Sequence, residues 1–309
     1  MSAKPMRFWS FFAATTVCAS DPIVFVAIGS FDETHAWRRT LARRTYLRTL
    51  SPRQEYIFSV HSASAAELAD LDDVVLVPPA ALTRCRSDSR VATKRCRSGA
   101  TFATGLRWAA AYSTAPYVLS VDDDGFLCTT TVHQFARSLV YQPGTVIGTW
   151  HEKNAHPDQN FVLLSRDVAS NASRQFDAHP RNKAATLELA SFFRGQTHAY
   201  DARNVVLHPR HNALARMYQR LEVSGRYFRA ESEAFCDRHM WIHLCCSSRA
   251  IPELWEDLQG DAEGSSHDID AIAAALDPLS PDVLRPRNFS QPPRVIETES
   301  CGACKMSEG

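Results

Sequence analysis

The sequence predicts an α/β protein: a mostly parallel sheet flanked by helices, with a less regular C-terminal portion. Three observations predict it. Short apolar runs of strand length alternate with helical patterns from residue 22 to about residue 170, as parallel strands joined by crossover helices do. The strand candidates are continuously apolar, which suits a sheet covered on both faces. One of them runs straight into Asp122, Asp123 and Asp124. Ligands of such sheets bind beyond the carboxyl ends of the strands.

The elements follow in order. Residues 22–31, PIVFVAIGSF, are a buried strand ending in Gly-Ser. Residues 34–50 predict a helix, with Thr34 as its cap, Trp37 and Leu41 on one face and the arginines on the other. Residues 55–60 predict a strand and AAELADL a short helix. Residues 73–79, DVVLVPP, predict a strand stopped by prolines. The polar, basic stretch 83–98 predicts a loop, and 99–113 a helix carrying Leu106 and Trp108. Ala115–Val121 is the strand before the three aspartates. A helix over 130–140 and strands at TVIGTW and at 161–165 complete this half. Beyond it lie helical patterns at 211–222, 252–259 and 267–276, then a tail rich in proline.

The chain of 309 residues is long enough for one large α/β domain. Hydrophobic residues make up 45% and charged residues 22%, an ordinary globular balance. Lys+Arg and Asp+Glu are equal at 34 each, so overall charge points to no polyanionic partner. Lys4 and Arg7 precede the apolar run Phe8–Ala19, and small residues close it at Val17-Cys18-Ala19. That order predicts a signal peptide or short membrane anchor over residues 1–20. The main domain is expected over 21–276, with a nucleotide-sugar half at 21–170 and an acceptor half at 171–276, and the tail over 277–309. Nine cysteines, eight without Cys18, suit a lumenal protein with some disulfides, although spacing does not reveal the pairing. Cys301 and Cys304 have CxxC spacing in a polar tail, with no second pair to complete a metal site. Asn171-Ala-Ser173 and Asn288-Phe-Ser290 are glycosylation sequons.

Three carboxylates at the end of an apolar strand repel one another near a low-dielectric core. A divalent cation removes that cost. Mg²⁺ or Mn²⁺ takes one or two protein carboxylates and completes its shell with phosphate oxygens. The alternative is a solvated acidic turn, but the strand before the triplet and Gly125-Phe126 after it favour the metal. Arg38, Arg39, Arg43, Arg44 and Arg48 form a basic helix after the first strand. Arginine forks suit diphosphate oxygens, and the helix starts just past a Gly-Ser turn. A solvated face is the competing reading. An RNA-binding stripe would need interleaved aromatic residues and a basic excess, and both are missing. No GxxxxGK[ST] loop occurs, which counts against a phosphotransferase built on the same metal triplet.

Phe25–Tyr46 and Thr101–Phe126 resemble the β-1,3-galactosyltransferase family, glycosyltransferase family 31. The family shows an arginine, three residues, a second arginine, one residue, then Thr-Trp. This chain has Arg39-Thr-Leu-Ala-Arg43-Arg44-Thr45-Tyr46, with tyrosine in the last place. Tyr117-Val-Leu-Ser-Val-Asp122-Asp-Asp-Gly-Phe126 is similar to the family's strand and Asp-Asp-Asp-Val-Phe block. Phe161-Val-Leu-Leu-Ser165-Arg166-Asp167 is similar to a third block. The order of the blocks matches over about the first 170 residues. Departures are the missing lysine before Trp108, with Thr101 near its place, and a shorter stretch from Asp124 to Phe161. At the usual distance after Ser165, Ala190–Gly195 holds no acid where the family has Glu-Asp-Val.

The resemblance implies a GT-A, Rossmann-like fold and an inverting transfer of a hexose, galactose or N-acetylhexosamine, from a UDP-sugar to a sugar hydroxyl in β-1,3 linkage. It implies Mn²⁺ or Mg²⁺ on Asp124, and contacts to the nucleotide-sugar or metal waters from Asp122 and Asp123. Arg39 and Arg43 would lie near the nucleotide. Asp257, helped by Glu256 in Leu254–Gly260, is the expected catalytic base, with Glu188 a weaker candidate and an exposed acidic helix the competing reading. A late histidine would join the metal; His239, His243 and His267 are available, and His267 after a Gly-Ser-Ser turn is taken. The expected partners are a UDP-sugar and a glycan or glycoconjugate acceptor, with no nucleic acid. The expected location is the Golgi or secretory lumen, with a membrane reached through the N-terminus. The missing acid keeps open an accessory family member that binds without turnover.

Overall fold

The computed structural model describes residues 23–48, 50, 55–85, 90–150, 157–178, 193, 198–202, 205–207, 236, 239–243 and 285–286. Its strands are β1 (Val24–Gly29), β2 (Tyr56–Val60), β3 (Val74–Leu76), β4 (Tyr117–Asp122), β5 (Gly125–Leu127), β6 (Thr145–Trp150), β7 (Pro157–Ser165), β8 (His198–Asp201), β9 (Val206–Leu207), β10 (Trp241–His243) and β11 (Arg285–Pro286). Its helices are α1 (Ala36–Arg44), α2 (Ala65–Asp70), α3 (Pro79–Arg84), α4 (Arg90–Tyr112), α5 (Thr129–Ser138) and α6 (Arg166–Ala178).

Eight strands form one sheet in the order β11-β8-β6-β7-β4-β1-β2-β3, and β5, β10 and β9 form a small second sheet. The block β3-β2-β1-β4 is parallel throughout, with β1 at its centre. The sheet is mixed beyond it. β7 runs antiparallel to both β4 and β6, whereas β6 and β8 pair in parallel. The apolar run at 161–165 announced a buried strand but not its direction, because either direction buries both faces.

Side chains alternate across each strand, so β1 feeds two cores. Val24, Val26 and Ile28 face a cluster that includes Ala42 of α1 and Val132 and Phe135 of α5. Phe25 and Ala27 face a second cluster that includes Ala103 and Leu106 of α4 and Val168 of α6. Each fully buried aliphatic or Phe side chain contributes about 1.5–3 kcal/mol, which explains why the strands read as unbroken apolar runs. Gly105 lets α4 lie against β1: a Cβ there would stand 2.9 Å from the Ala27 Cβ.

Two local expectations are corrected. The stretch 83–98 is not one loop. It holds the end of α3 and the first turns of α4, joined by a Cys85–Cys96 disulfide. Its polar residues mask a helix whose buried side is marked by Cys96 and Ala100. Pro79, read as a strand stop, is also the first residue of α3, where a missing N–H costs nothing. The helix after β1 begins at Ala36, behind a 3₁₀ turn at Glu33–His35. Asp32, not Thr34, caps that turn by accepting from the Thr34 backbone N–H and hydroxyl.

No helix among the described residues is long and apolar enough to cross a membrane. The signal peptide or anchor expected at 1–20 and the helices expected at 211–222, 252–259 and 267–276 lie outside the described residues.

Candidate active site at the carboxyl end of the sheet

Parallel pairing brings the ends of β1 and β4 together. Gly29 stands opposite Asp122, and the Asp123 backbone N–H donates to the Gly29 carbonyl at 3.0 Å. The Ser30 N–H donates to the Ser59 carbonyl of β2 at 3.0 Å. Ser30, Arg38 and Thr101 therefore border one pocket with Asp122, Asp123 and Asp124. The triplet sits where the sheet topology places ligands.

Asp123 is almost fully buried, at 3% exposed. Its Oδ2 accepts from the Ser30 hydroxyl at 2.5 Å, and its Oδ1 accepts from Arg38 Nη1 at 3.2 Å. His35 Nδ1 lies 3.3 Å from Oδ2. Asp124 points the other way. After it the chain leaves along β5, which pairs antiparallel with β10 so that Gly125 faces His243. His243 Nε2 comes to 3.1 Å from Asp124 Oδ1, so the imidazole and the carboxylate face each other as an ion pair. Burial pushes the Asp124 carboxyl up, but the charge and hydrogen bond of His243 and the charge of Arg38 more than reverse it and hold it below the usual range.

The Asp124–His243 pair fits a divalent cation. Neighbouring ligands of an octahedral ion at about 2.1 Å stand about 3.0 Å apart, close to the spacing here. A buried carboxylate oxygen and the imidazole nitrogen beside it can both enter the shell of such an ion. Among the described residues no third His, Cys, Asp or Glu completes the cluster, so substrate and water oxygens would supply the rest. Trp241 holds the imidazole from behind. Its ring stacks on His243 at 5.4 Å and 9°. Its indole needs Gly125, where a Cβ would lie 2.4 Å from Nε1.

The structure distributes the sequence-derived residues unevenly. Asp122, Asp123 and Asp124 are brought together with Arg38. Arg39 is wholly buried. Its Nε and Nη2 each donate to Glu67 at 2.7 Å, and Nη1 donates to the Ser30 hydroxyl at 2.9 Å and the Asp32 carbonyl at 3.0 Å. Arg43 donates twice to Asp73 at 2.7 Å, and its guanidinium lies 4.7 Å above the Phe58 ring. In this arrangement both forks are taken by carboxylates of the fold, and Arg38 is the arginine of α1 that borders the pocket. The expected base, Asp257 with Glu256, and the expected ligand His267 lie outside the described residues, as does Glu188.

Sequence reading passed over several residues here. Ser30 was visible only as part of a Gly-Ser turn. His35 and Glu67 sit in segments with no motif of their own. His243 was one of three late histidines, and only its pairing against β5 distinguishes it. On the far rim, His61 Nε2 lies 2.8 Å from the Thr101 hydroxyl, and burial holds its imidazole below its ordinary pKa.

No protein-family model matches this chain, and no curated protein matches it. Similar solved structures are glycosyltransferases at low identity. An active-site mutant of LgtC is 12% identical with a TM-score of 0.43, covering 76% of this chain and 95% of that one. A glycosyltransferase involved in glycosylation of the major capsid of PBCV-1 is 13% identical with a TM-score of 0.39, covering 75% and 98%. The mannosyltransferase PcManGT from Pyrobaculum calidifontis, in complex with GDP-Man and Mn2+, is 14% identical with a TM-score of 0.36, covering 83% and 79%.

Proposed function

We propose that this chain is a metal-dependent inverting glycosyltransferase of GT-A type. It moves a hexose, galactose or N-acetylhexosamine, from a UDP-sugar to a sugar hydroxyl in β-1,3 linkage. The observation that carries the reading is Asp124 facing His243 across 3.1 Å at the carboxyl end of the sheet, beside a second buried carboxylate held by Ser30 and Arg38. The block resemblance in Phe25–Tyr46 and Thr101–Phe126 supports the donor class and linkage.

Asp124 and His243 would hold Mn²⁺ or Mg²⁺, which when bound neutralises a diphosphate leaving group. Asp123 orients Arg38 at the pocket edge, where the guanidinium is a fixed cation beside the departing charge. Asp122 borders the same pocket and is the proposed contact for donor hydroxyls. Asp257, helped by Glu256, is the proposed acceptor of the proton from the attacking sugar hydroxyl. The reaction belongs in the Golgi or secretory lumen, and the two disulfides among the described residues suit an oxidising compartment.

The test is UDP release by the full chain with Mn²⁺ and a panel of UDP-sugars, with and without simple glycoside acceptors. Metal-dependent release from one donor is expected, and Asp124→Ala should abolish it. Binding of UDP without turnover of any donor, once acceptors are varied, would favour an accessory protein. Absence of metal-dependent nucleotide binding would overturn the assignment.

A further inference from the structure

We propose that Glu67, Arg39 and Ser30 form a buried relay that positions Asp123, and that Arg39 serves the donor site through Ser30 rather than by contact. The inference rests on the glycosyltransferase reading above and assigns the donor-side carboxylate its support.

The relay has a fixed direction. Arginine can only donate hydrogen bonds, and a serine hydroxyl has a single proton. Arg39 Nη1 donates to Ser30 Oγ at 2.9 Å, so the Ser30 proton must point elsewhere. The acceptor in reach is Asp123 Oδ2 at 2.5 Å. The other end is anchored by two 2.7 Å bonds from Arg39 to Glu67 on α2. The Nη1 bond to the Asp32 carbonyl ties in the turn that leads to His35 and Arg38. Every side chain in the path is buried: Arg39 at 0%, Ser30 at 2%, Asp123 at 3% and Glu67 at 9% exposed. Three segments far apart in sequence thus converge on one carboxylate. A charge-assisted bond in such surroundings is worth more than one in water.

The molecule contains its own control. Arg43 makes the same two-pronged contact, also at 2.7 Å, with Asp73 on the same side of the sheet. Arg43 Nη2 also lies 3.6 Å from Glu67 Oε1, so this pair adjoins the far end of the relay, and no hydrogen bond among those described joins it directly to Ser30 or Asp123. A purely structural role would make the two pairs equivalent. A positioning role makes the pair bonded directly to Ser30 matter more to the donor than the one that meets Glu67 from behind.

The test compares the wild-type full chain with Ser30→Ala, Glu67→Gln, their double variant and Asp73→Asn. It measures Mn²⁺-dependent turnover of the preferred UDP-sugar together with Tm. Ser30→Ala and Glu67→Gln should each raise donor KM about tenfold and leave acceptor KM unchanged. The double variant should be no worse than the poorer single, because both break one path. Asp73→Asn should lower Tm and leave donor KM near wild type. Glu67→Gln, remote from the triplet, carries the test alone if Ser30→Ala does not fold. An unchanged donor KM in both single variants of an active enzyme would overturn the relay. So would effects that multiply in the double variant, or an equal KM rise in Asp73→Asn. A wild-type chain that turns over no donor would instead sink the glycosyltransferase reading, and this inference with it.

Discussion

The two flanks of the aspartate triplet are built in opposite ways. On the α1 side, Asp123 is gripped by Ser30, Arg38 and His35, all from the turn and helix that follow β1. Behind them stand two adjoining two-pronged ion pairs, the buried Arg39–Glu67 and the partly buried Arg43–Asp73, with Arg43 Nη2 3.6 Å from Glu67 Oε1. On the β10 side, Asp124 meets His243, 119 positions later in the chain, through a strand of three residues. That flank relies on a Cys128–Cys236 disulfide spanning 108 positions and on an indole seated over Gly125. The α1 side is therefore preorganised by polar contacts at the ends of the paired strands β1 and β4. The β10 side is delivered by a distant segment that must be tied down. Covalent and steric constraints do for it what hydrogen bonds do for the other.

Breaking the tie should have the largest effect. Closing a loop of about 100 residues is worth about 4.7 kcal/mol in the chain-entropy view, against about 3 kcal/mol for a loop near 15 residues. Cys128→Ser with Cys236→Ser should thus lower stability in urea unfolding more than Cys85→Ser with Cys96→Ser. It should also weaken Mn²⁺ binding, which the second pair should spare. Equal losses would erase the distinction between the flanks.

The α1 side fails through charge. Glu67→Ala leaves Arg39 buried without its partner, a change that costs about 3–5 kcal/mol. The unfolding midpoint should fall accordingly. A loss below about 1 kcal/mol, the range of exposed pairs, would show that the Arg39 site opens to water.

On the metal side, Asp124→Ala should reduce Mn²⁺-dependent UDP release by at least about 100-fold with little change in Tm. Gly125→Val tests how His243 is held. The new side chain meets the Trp241 ring, and overpacking of this kind costs about 1–3 kcal/mol. Mn²⁺ affinity should drop with it, measured by titration of the purified protein, while Asp123 keeps its bonds to Ser30 and Arg38. A variant that binds the ion normally would remove Trp241 from the support of His243.

The smallest effect is in acid. The Arg39 hydrogen bonds hold the Glu67 carboxyl below its ordinary pKa, against burial. A depressed folded pKa stabilises fully above the ordinary value, and the stabilisation is lost as pH falls through the folded value. The stability gap between wild type and Glu67→Gln should therefore stay constant from neutral pH down to the ordinary carboxylate range and close below it. A gap that persists to the acid limit of folding would mean that Glu67 titrates normally.

The sequence by itself determined most of the alternating strands and helices up to β7 and the placing of Asp122–Asp124 at a strand end. Both are local signals: apolar runs record burial on two faces, and three adjacent carboxylates are visible without knowing their neighbours. It also marked the arginines of α1, but not their partners. Glu67 and Asp73 look like ordinary surface acids, because an ion pair leaves no pattern in either segment. The same holds for the direction of β7, the helix hidden in the polar stretch 83–98, and the disulfide partners. Only the tertiary structure decided which arginine faces the pocket and which histidine meets Asp124. Those choices depend on strand pairing between segments up to 119 positions apart, and pairing register is set by packing over the whole sheet rather than by any residue's own chemistry.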